Sequence, residues 1–149
     1  YRGAPFALTP LARTSPAARR LAEELVGAVG AHPVWLEADE HDAMVAATSH
    51  LPYLTAVALA SITPPEAAAL VGPGFRSTTR LAETPLSIML DILRYNRANL
   101  LPGLVRLQRE IAYLSHLLQS EDYPALAAEL EQAARRRIQL TRPSAEEKA

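Results

Sequence analysis

Two polar clusters interrupt an otherwise apolar chain, and they are where chemistry could reside. The first is His41-Asp42 followed by Ser49-His50-Leu51-Pro52-Tyr53. Imidazoles beside a carboxylate could hold a metal, activate a nucleophile or grip a bound acid. Spacing argues against the first two. A zinc helix needs two histidines four apart on one face. His41 and His50 are nine apart, which at ~100° per residue places them on nearly opposite faces unless Pro52 reorients them. Ser49 and His50 are neighbours, and adjacent helical side chains diverge by ~100°, so the imidazole does not reach the hydroxyl as its base. Residues 42, 46, 50 and 53 share a face. His50 is left as a binding residue or a hydrogen-bonded core histidine, and His41 as a binding residue or the cap of a helix start.

The second cluster runs from Gly72-Pro73-Gly74 through Phe75-Arg76-Ser77-Thr78-Thr79-Arg80. Gly72-Pro73-Gly74 reads as a loop that enters a short helix near residue 76, presenting free backbone N–H groups that favour an anion. Arg76 and Arg80 are four apart, hence on one face, and two guanidinium groups there grip carboxylates in bidentate fashion. The alternative is a solvated pair bonded to nearby carbonyls or to Glu83. No GxGxxG occurs in the 149 residues, so nothing here is expected to bind a dinucleotide pyrophosphate.

The elements that must position these clusters read as β-α-β followed by helices. Pro5 to Leu8 is a short apolar run, and Val34-Trp35-Leu36 a second. Between them Ser15-Pro16 marks a helix start, Leu21, Leu25, Val26 and Val29 form its apolar stripe, and Gly30 ends it. Two strands alone make a marginal sheet, so these belong at the edge of a larger one. Residues 39–62 read as a helix capped by Asp39 and kinked or broken at Pro52. Thr63-Pro64-Pro65-Glu66 resembles a capping box for a short helix to Val71. Thr84-Pro85 opens a further helix whose stripe (Leu86, Leu90, Leu93, Leu100, Leu104, Leu107, Ile111, Leu114, Leu118) steps by threes and fours with one gap of seven. Pro102-Gly103 is the expected interruption. A last helix covers 123–140 with Leu126, Leu130 and Ile138 on one face, and the polar end is expected to fray. A long stripe of this kind seals either a dimer interface or a bundle core.

Composition bounds the rest. Hydrophobic residues make up 49% and the net charge is −1, so a core is affordable in size and no bulk attraction to nucleic acid is expected. Cysteine is absent, which removes disulfides and thiolate metal sites. No uninterrupted apolar run reaches the ~18 residues of a membrane span, and the opening YRGAPFALTP does not read as a signal peptide. The expectation is a cytoplasmic protein with no metal and no membrane contact.

The order Gly30-Ala31-His32-Pro33-Val34-Trp35-Leu36, Glu40-His41-Asp42, Ala46, Ser49-His50-Leu51-Pro52-Tyr53, Gly72 to Phe75, Arg76 and Thr79-Arg80-Leu81-Ala82 resembles the prephenate dehydrogenase family. The resemblance implies a mainly α fold: a helical substrate-wall and dimerisation domain over 39–141, preceded at 1–38 by the trailing β-α-β of a Rossmann-type nucleotide domain, with 142–149 as a frayed tail. It implies the C-terminal part of an enzyme that transfers a hydride from C4 of prephenate or arogenate to NAD or NADP while CO2 leaves and the ring aromatises. The cofactor site and the histidine that meets the ring hydroxyl belong, on this resemblance, to a segment outside this chain, so the chain alone is expected to be inactive and to bind no cofactor. Position by position, Arg80 matches the arginine that holds a substrate carboxylate, and His50 the cleft histidine of the Ser-His-Leu-Pro motif. Tyr53 and Arg76 complete the expected substrate contacts, with His41, Asp42, Ser49 and Gly74 in support. The sequence departs from the pattern at Tyr53, where many members have histidine, at Ser77, where some have aspartate, and at Met89, near where some have tryptophan. A homodimer through the long helices is the implied assembly. The alternatives are a non-catalytic helical dimer that senses a small aromatic acid and a plain helical adaptor.

Overall fold

The parallel pairing of Pro5–Leu8 (β1) with His32–Trp35 (β2), Pro5 opposite His32 and Leu8 opposite Trp35, requires a crossover, and Pro16–Ala28 (α1) supplies it. In this computed structural model, which describes residues 2–141, Ser15 caps α1 by accepting the Ala18 N–H, and Pro16 opens the first turn. Gly30 closes it at φ 76°, the left-handed conformation that glycine adopts without strain. Of the expected stripe only Val26 is buried, while Leu21, Leu25 and Val29 remain largely exposed. Trp35 ties the unit together: its indole N–H donates to Glu23 at 2.7 Å, and the Arg19 guanidinium lies 4.7 Å from the ring centroid.

The next helix begins one residue early and under a different cap. Glu37 and Glu40 form a reciprocal capping box at the start of Ala38–Val45 (α2), so neither Asp39 nor His41 caps it. Asp39 lies inside the first turn, where its charge suits the helix dipole. Pro52 neither breaks nor simply kinks the helix. A single wide turn, Ala46–His50, precedes Leu51–Ile62 (α3), and the Leu51 N–H donates to Ala46 O, five residues back. In an α-helix the Pro52 ring would strike the carbonyl of Thr48. A π-type turn relieves that crowding and takes in one extra residue.

Thr63 does not form the expected capping box. Its hydroxyl turns back to Leu59 O at 2.7 Å, and Pro65–Leu70 is a 3-10 turn with Pro64 before it. The anticipated Gly72-Pro73-Gly74 loop is also shorter: Pro73–Thr79 (α4) starts at Pro73 with Gly72 as cap, because proline has the first-turn φ and needs no donor there. A 3-10 turn, Arg80–Glu83, follows and packs on α3. Leu86–Tyr95 (α5) then begins after Thr84-Pro85 as expected.

The interruption expected at Pro102-Gly103 falls instead at Asn96, whose φ of −97° and ψ of 18° separate α5 from Arg97–Gln119 (α6). Pro102 stays within α6, where it forgoes the bond that a backbone N–H at that position would make to the Ala98 carbonyl. The chain divides into two compact units, one through Leu104 and one from Val105. In the second, α6 ends in a Schellman turn: Asp122 N–H reaches Leu117 O and Glu121 N–H reaches Leu118 O. Glu121 sits there at φ 55°, and Asp122 caps Tyr123–Thr141 (α7) by accepting the Ala125 N–H. The tail expected at 142–149 lies outside the described residues.

The first unit's core is built mainly from small side chains. Val26, Ala31, Ala46, Ala56, Met89 and Leu100 are buried there, whereas Leu86 is 68% exposed and Leu90 58%. In the second unit Ile111 and Leu118 of the stripe are also more than half exposed. The helical stretch Ala38–Ile62 is long and apolar enough, by length and composition, to cross a membrane, although scattered polar residues leave it no uninterrupted apolar run of ~18 residues. In the fold it carries a polar face at His41, Asp42, Ser49 and His50 and has protein packed against α3.

Two substitutions of opposite sign test the left-handed positions. Gly30→Ala forces an L side chain into that conformation with its Cβ 3.0 Å from Arg2 Cγ, and is expected to cost about 1–2 kcal/mol in urea unfolding. Glu121→Gly relieves the same conformation and is expected to add up to about 1 kcal/mol.

Candidate functional site

The wide turn before Pro52 determines which side chains meet. Over nine purely α-helical steps His41 and His50 would point apart. With one residue absorbed by the π turn they differ by only about 80°, and both line a cleft of about 430 Å³ together with Asp42, Val45, Ser49, Asp91, Ile92, Tyr95 and Asn96. The expectation that these histidines stay on opposite faces is therefore corrected, through the reorientation at Pro52 that it named as its exception.

His50 is 8% exposed and Asn96 7%. Their side chains meet, Asn96 Nδ2 to His50 Nδ1, at 3.2 Å. The same Asn96 amide nitrogen donates to Asp42 O at 2.7 Å, and its oxygen accepts from Asn99 Nδ2 at 2.8 Å. At the mouth His41 Nδ1 lies 3.0 Å from Asp42 Oδ1. Burial holds the His50 pKa below its ordinary value of 6.5, the Asp42 carboxylate opposes this, and His41 adds to the lowering. His50 thus belongs to the core and to the cleft at once.

The remaining predicted residues stand elsewhere. Tyr53 lies half-buried on α3, one turn beyond His50 and outside the cleft lining. Gly74 and Arg76 lie on α4, and Arg80 opens the 3-10 turn that follows. All three are exposed, and neither arginine has a hydrogen bond or ion pair to another described residue. Ser49 lines the cleft, and among the described residues its hydroxyl has no hydrogen bond to His50 or to another base.

Asn96, Asp91 and Tyr95 were missed by sequence reasoning. For Asn96 a signal existed. It fills the gap of seven between Leu93 and Leu100, a polar residue on a buried stripe, and such a residue requires partners.

Among the described residues no three His, Asp or Glu side chains are grouped to hold a metal ion. The β1–α1 turn does not fit a pyrophosphate, because Ser15 already occupies the Ala18 N–H and Pro16 has none to offer.

A short parallel β-α-β unit followed by a helical domain with a histidine-lined cleft is a mainly α architecture. Residues 37–132 match the model described as the dimerization domain of prephenate dehydrogenase, and the chain belongs to that family. It is 28% identical over 128 residues to a prephenate dehydrogenase of Bacillus subtilis (strain 168), covering 82% of this chain and 34% of that protein. Among solved structures it resembles the Synechocystis arogenate dehydrogenase (TM-score 0.80, 25% identity, 95% of this chain and 54% of that one). It also resembles the A. aeolicus prephenate dehydrogenase in complex with hydroxyphenyl propionate and NAD+ (TM-score 0.81, 25% identity, 94% and 51%). The chain spans about a third of the curated relative and about half of each solved chain.

The depressed His50 pKa gives a pH signature. Folding favours the neutral imidazole, so its contribution is complete above the unfolded pKa of 6.5 and is lost as the pH falls below that value toward the folded pKa. The urea midpoint is expected to drop across that interval, and His50→Asn, which keeps an acceptor near the place of Nδ1, is expected to flatten that part of the profile.

Proposed function

We propose that this chain is the helical, substrate-wall and dimerisation part of an NAD(P)-dependent prephenate or arogenate dehydrogenase. The observation that carries the reading is the cleft itself: its two histidines and Asp42 all lie within the segment that matches the family's dimerization domain. In this reading the reaction moves a hydride from C4 of the cyclohexadienyl ring to the nicotinamide cofactor, which supplies the hydride acceptor when bound, while CO2 leaves from C1 and the ring becomes a phenol. The chain's own residues bind and orient. Arg80, a cation with no partner among the described residues, takes a substrate carboxylate, Arg76 reinforces the positive charge one turn away, and Tyr53 contacts the side chain. His50, held by Asn96, offers a polar contact in the cleft, with His41, Asp42 and Ser49 beside it and Gly74 supporting the arginines on α4.

The exposed leucines and isoleucines of α5, α6 and α7 support a homodimer through these helices, since apolar surface of this extent is normally covered. The same association would shield the apolar sides of the 38–62 helix without a membrane, in keeping with a cytoplasmic enzyme.

The test is prephenate- and arogenate-dependent formation of NADH or NADPH by the full-length protein containing this chain. Absence of turnover with either substrate would leave a non-catalytic helical dimer as the reading. Arg80→Ala is expected to raise KM with a loss of about 2–5 kcal/mol in kcat/KM, the usual cost of removing one partner from a desolvated charge pair. An unchanged KM would remove Arg80 from the site. Sedimentation of the chain as a monomer at micromolar concentration would count against the dimer.

A further inference from the structure

We infer that Asn96 is a positioning residue that locks His50 as the neutral tautomer with its proton on Nε2, so that the cleft presents a hydrogen-bond donor, and not a base, to a carboxylate or carbonyl oxygen of its ligand. That the ligand is the substrate rests on the function proposed above. The lock itself does not.

Asp42 O is a carbonyl and can only accept, so the Asn96 atom 2.7 Å from it is the amide nitrogen, and the usual ambiguity of an asparagine amide is removed. An amide nitrogen donates and does not accept. The contact between that nitrogen and His50 Nδ1 at 3.2 Å therefore needs a lone pair on Nδ1. The Asn96 oxygen, which alone could have accepted from an Nδ1–H, is turned to Asn99 Nδ2. Both amide protons are thus committed, one to Asp42 O and one to His50, and a neutral imidazole must then carry its proton on Nε2.

The environment keeps the ring neutral and leaves that proton free for use. The titratable groups around the cleft are His41 and Asp42 on α2 and Asp91 and Tyr95 on α5. None of them is hydrogen-bonded to His50. Among the described residues His50 Nε2 has no partner, yet no buried side-chain nitrogen or oxygen lacks one, so Nε2 opens on the cleft. Protonating Nδ1 would set an N–H against the Asn96 N–H, which opposes the imidazolium in the same sense as burial does. Asn96 gains its own rigidity from the joint between α5 and α6, where it holds the Asp42 carbonyl on a third helix.

Nitrogen-15 NMR of the histidine-labelled chain tests the lock without any turnover. At pH 7.5, His50 Nε2 is expected to resonate as a protonated, pyrrole-type nitrogen and Nδ1 as an unprotonated one. A proton on Nδ1, or an imidazolium, overturns the inference. N96D places a carboxylate oxygen against Nδ1. It is expected to move the proton to Nδ1 and to make His50 titrate at higher pH than in the native chain, and an unchanged tautomer and titration would overturn the inference. Should N96D fail to fold, the wild-type tautomer still decides. In the full-length protein, N96D is expected to raise the KM for prephenate or arogenate more than tenfold, with a pH profile shifted in step with the His50 titration. A tautomer that changes as stated with KM unmoved would overturn the assignment of the substrate to this cleft and leave the lock standing.

Discussion

The cleft depends on the single backbone donor that Pro52 lacks. Without it the helix would run as an α-helix from residue 38 to 62, and the imidazoles of His41 and His50 would face apart. The missing N–H and the bulk of the pyrrolidine ring widen one turn, and the i to i+5 bond from Leu51 to Ala46 rotates everything before the proline by about one residue relative to everything after it. Ser49, at the end of that turn, is carried to the cleft with His50. A proline read as a helix breaker is here the device that gathers a polar face from residues spaced nine apart.

Asn96 is the second constraint, and it works across helices. It sits where two helices meet and spends its whole amide on three polar groups: the Asp42 carbonyl, the His50 ring and the Asn99 side chain. A buried asparagine left unpaired would be costly, so the arrangement of α2, α5 and the wide turn is specified by polar geometry as well as by apolar contact. This matters because the apolar contact within the chain is modest. The buried core leans on alanines, while leucines and isoleucines of the long helices remain on the surface. A core of small residues lets helices approach closely but buries little area per residue, and the surplus apolar surface is what the proposed homodimer would cover.

The β-α-β segment likewise rests on few contacts. Two four-residue parallel strands are too few to stand as a sheet, and they are held by α1, the Trp35–Glu23 hydrogen bond and the Arg19 stack. The groove between β1 and α1, lined by Phe6, Leu8, Leu25 and Val29 among others, is apolar.

The sequence by itself determined the elements and some of their ends. Ser15-Pro16, Gly30, Thr84-Pro85 and the strand run at 5–8 are local signals that local sterics and hydrogen bonding fulfil wherever the chain goes, whereas the second strand, read at 34–36, lies at His32–Trp35. The order of the polar motifs likewise determined the family. Helix caps were harder to read, because Glu37 and Asp39 are both plausible acceptors two residues apart and only the reciprocal bond with Glu40 separates them. The site was legible in its residues and not in its geometry. His50 could be named from the motif, but its neighbours on the cleft could not, since a periodicity of 3.6 residues has no term for a π turn. Asn96 lies 46 residues from His50 and answers to no local rule. Tertiary structure alone decided that pairing, because a buried polar group chooses its partner by what the packed helices bring within hydrogen-bonding reach of it, and that proximity is not written in any one segment of the chain.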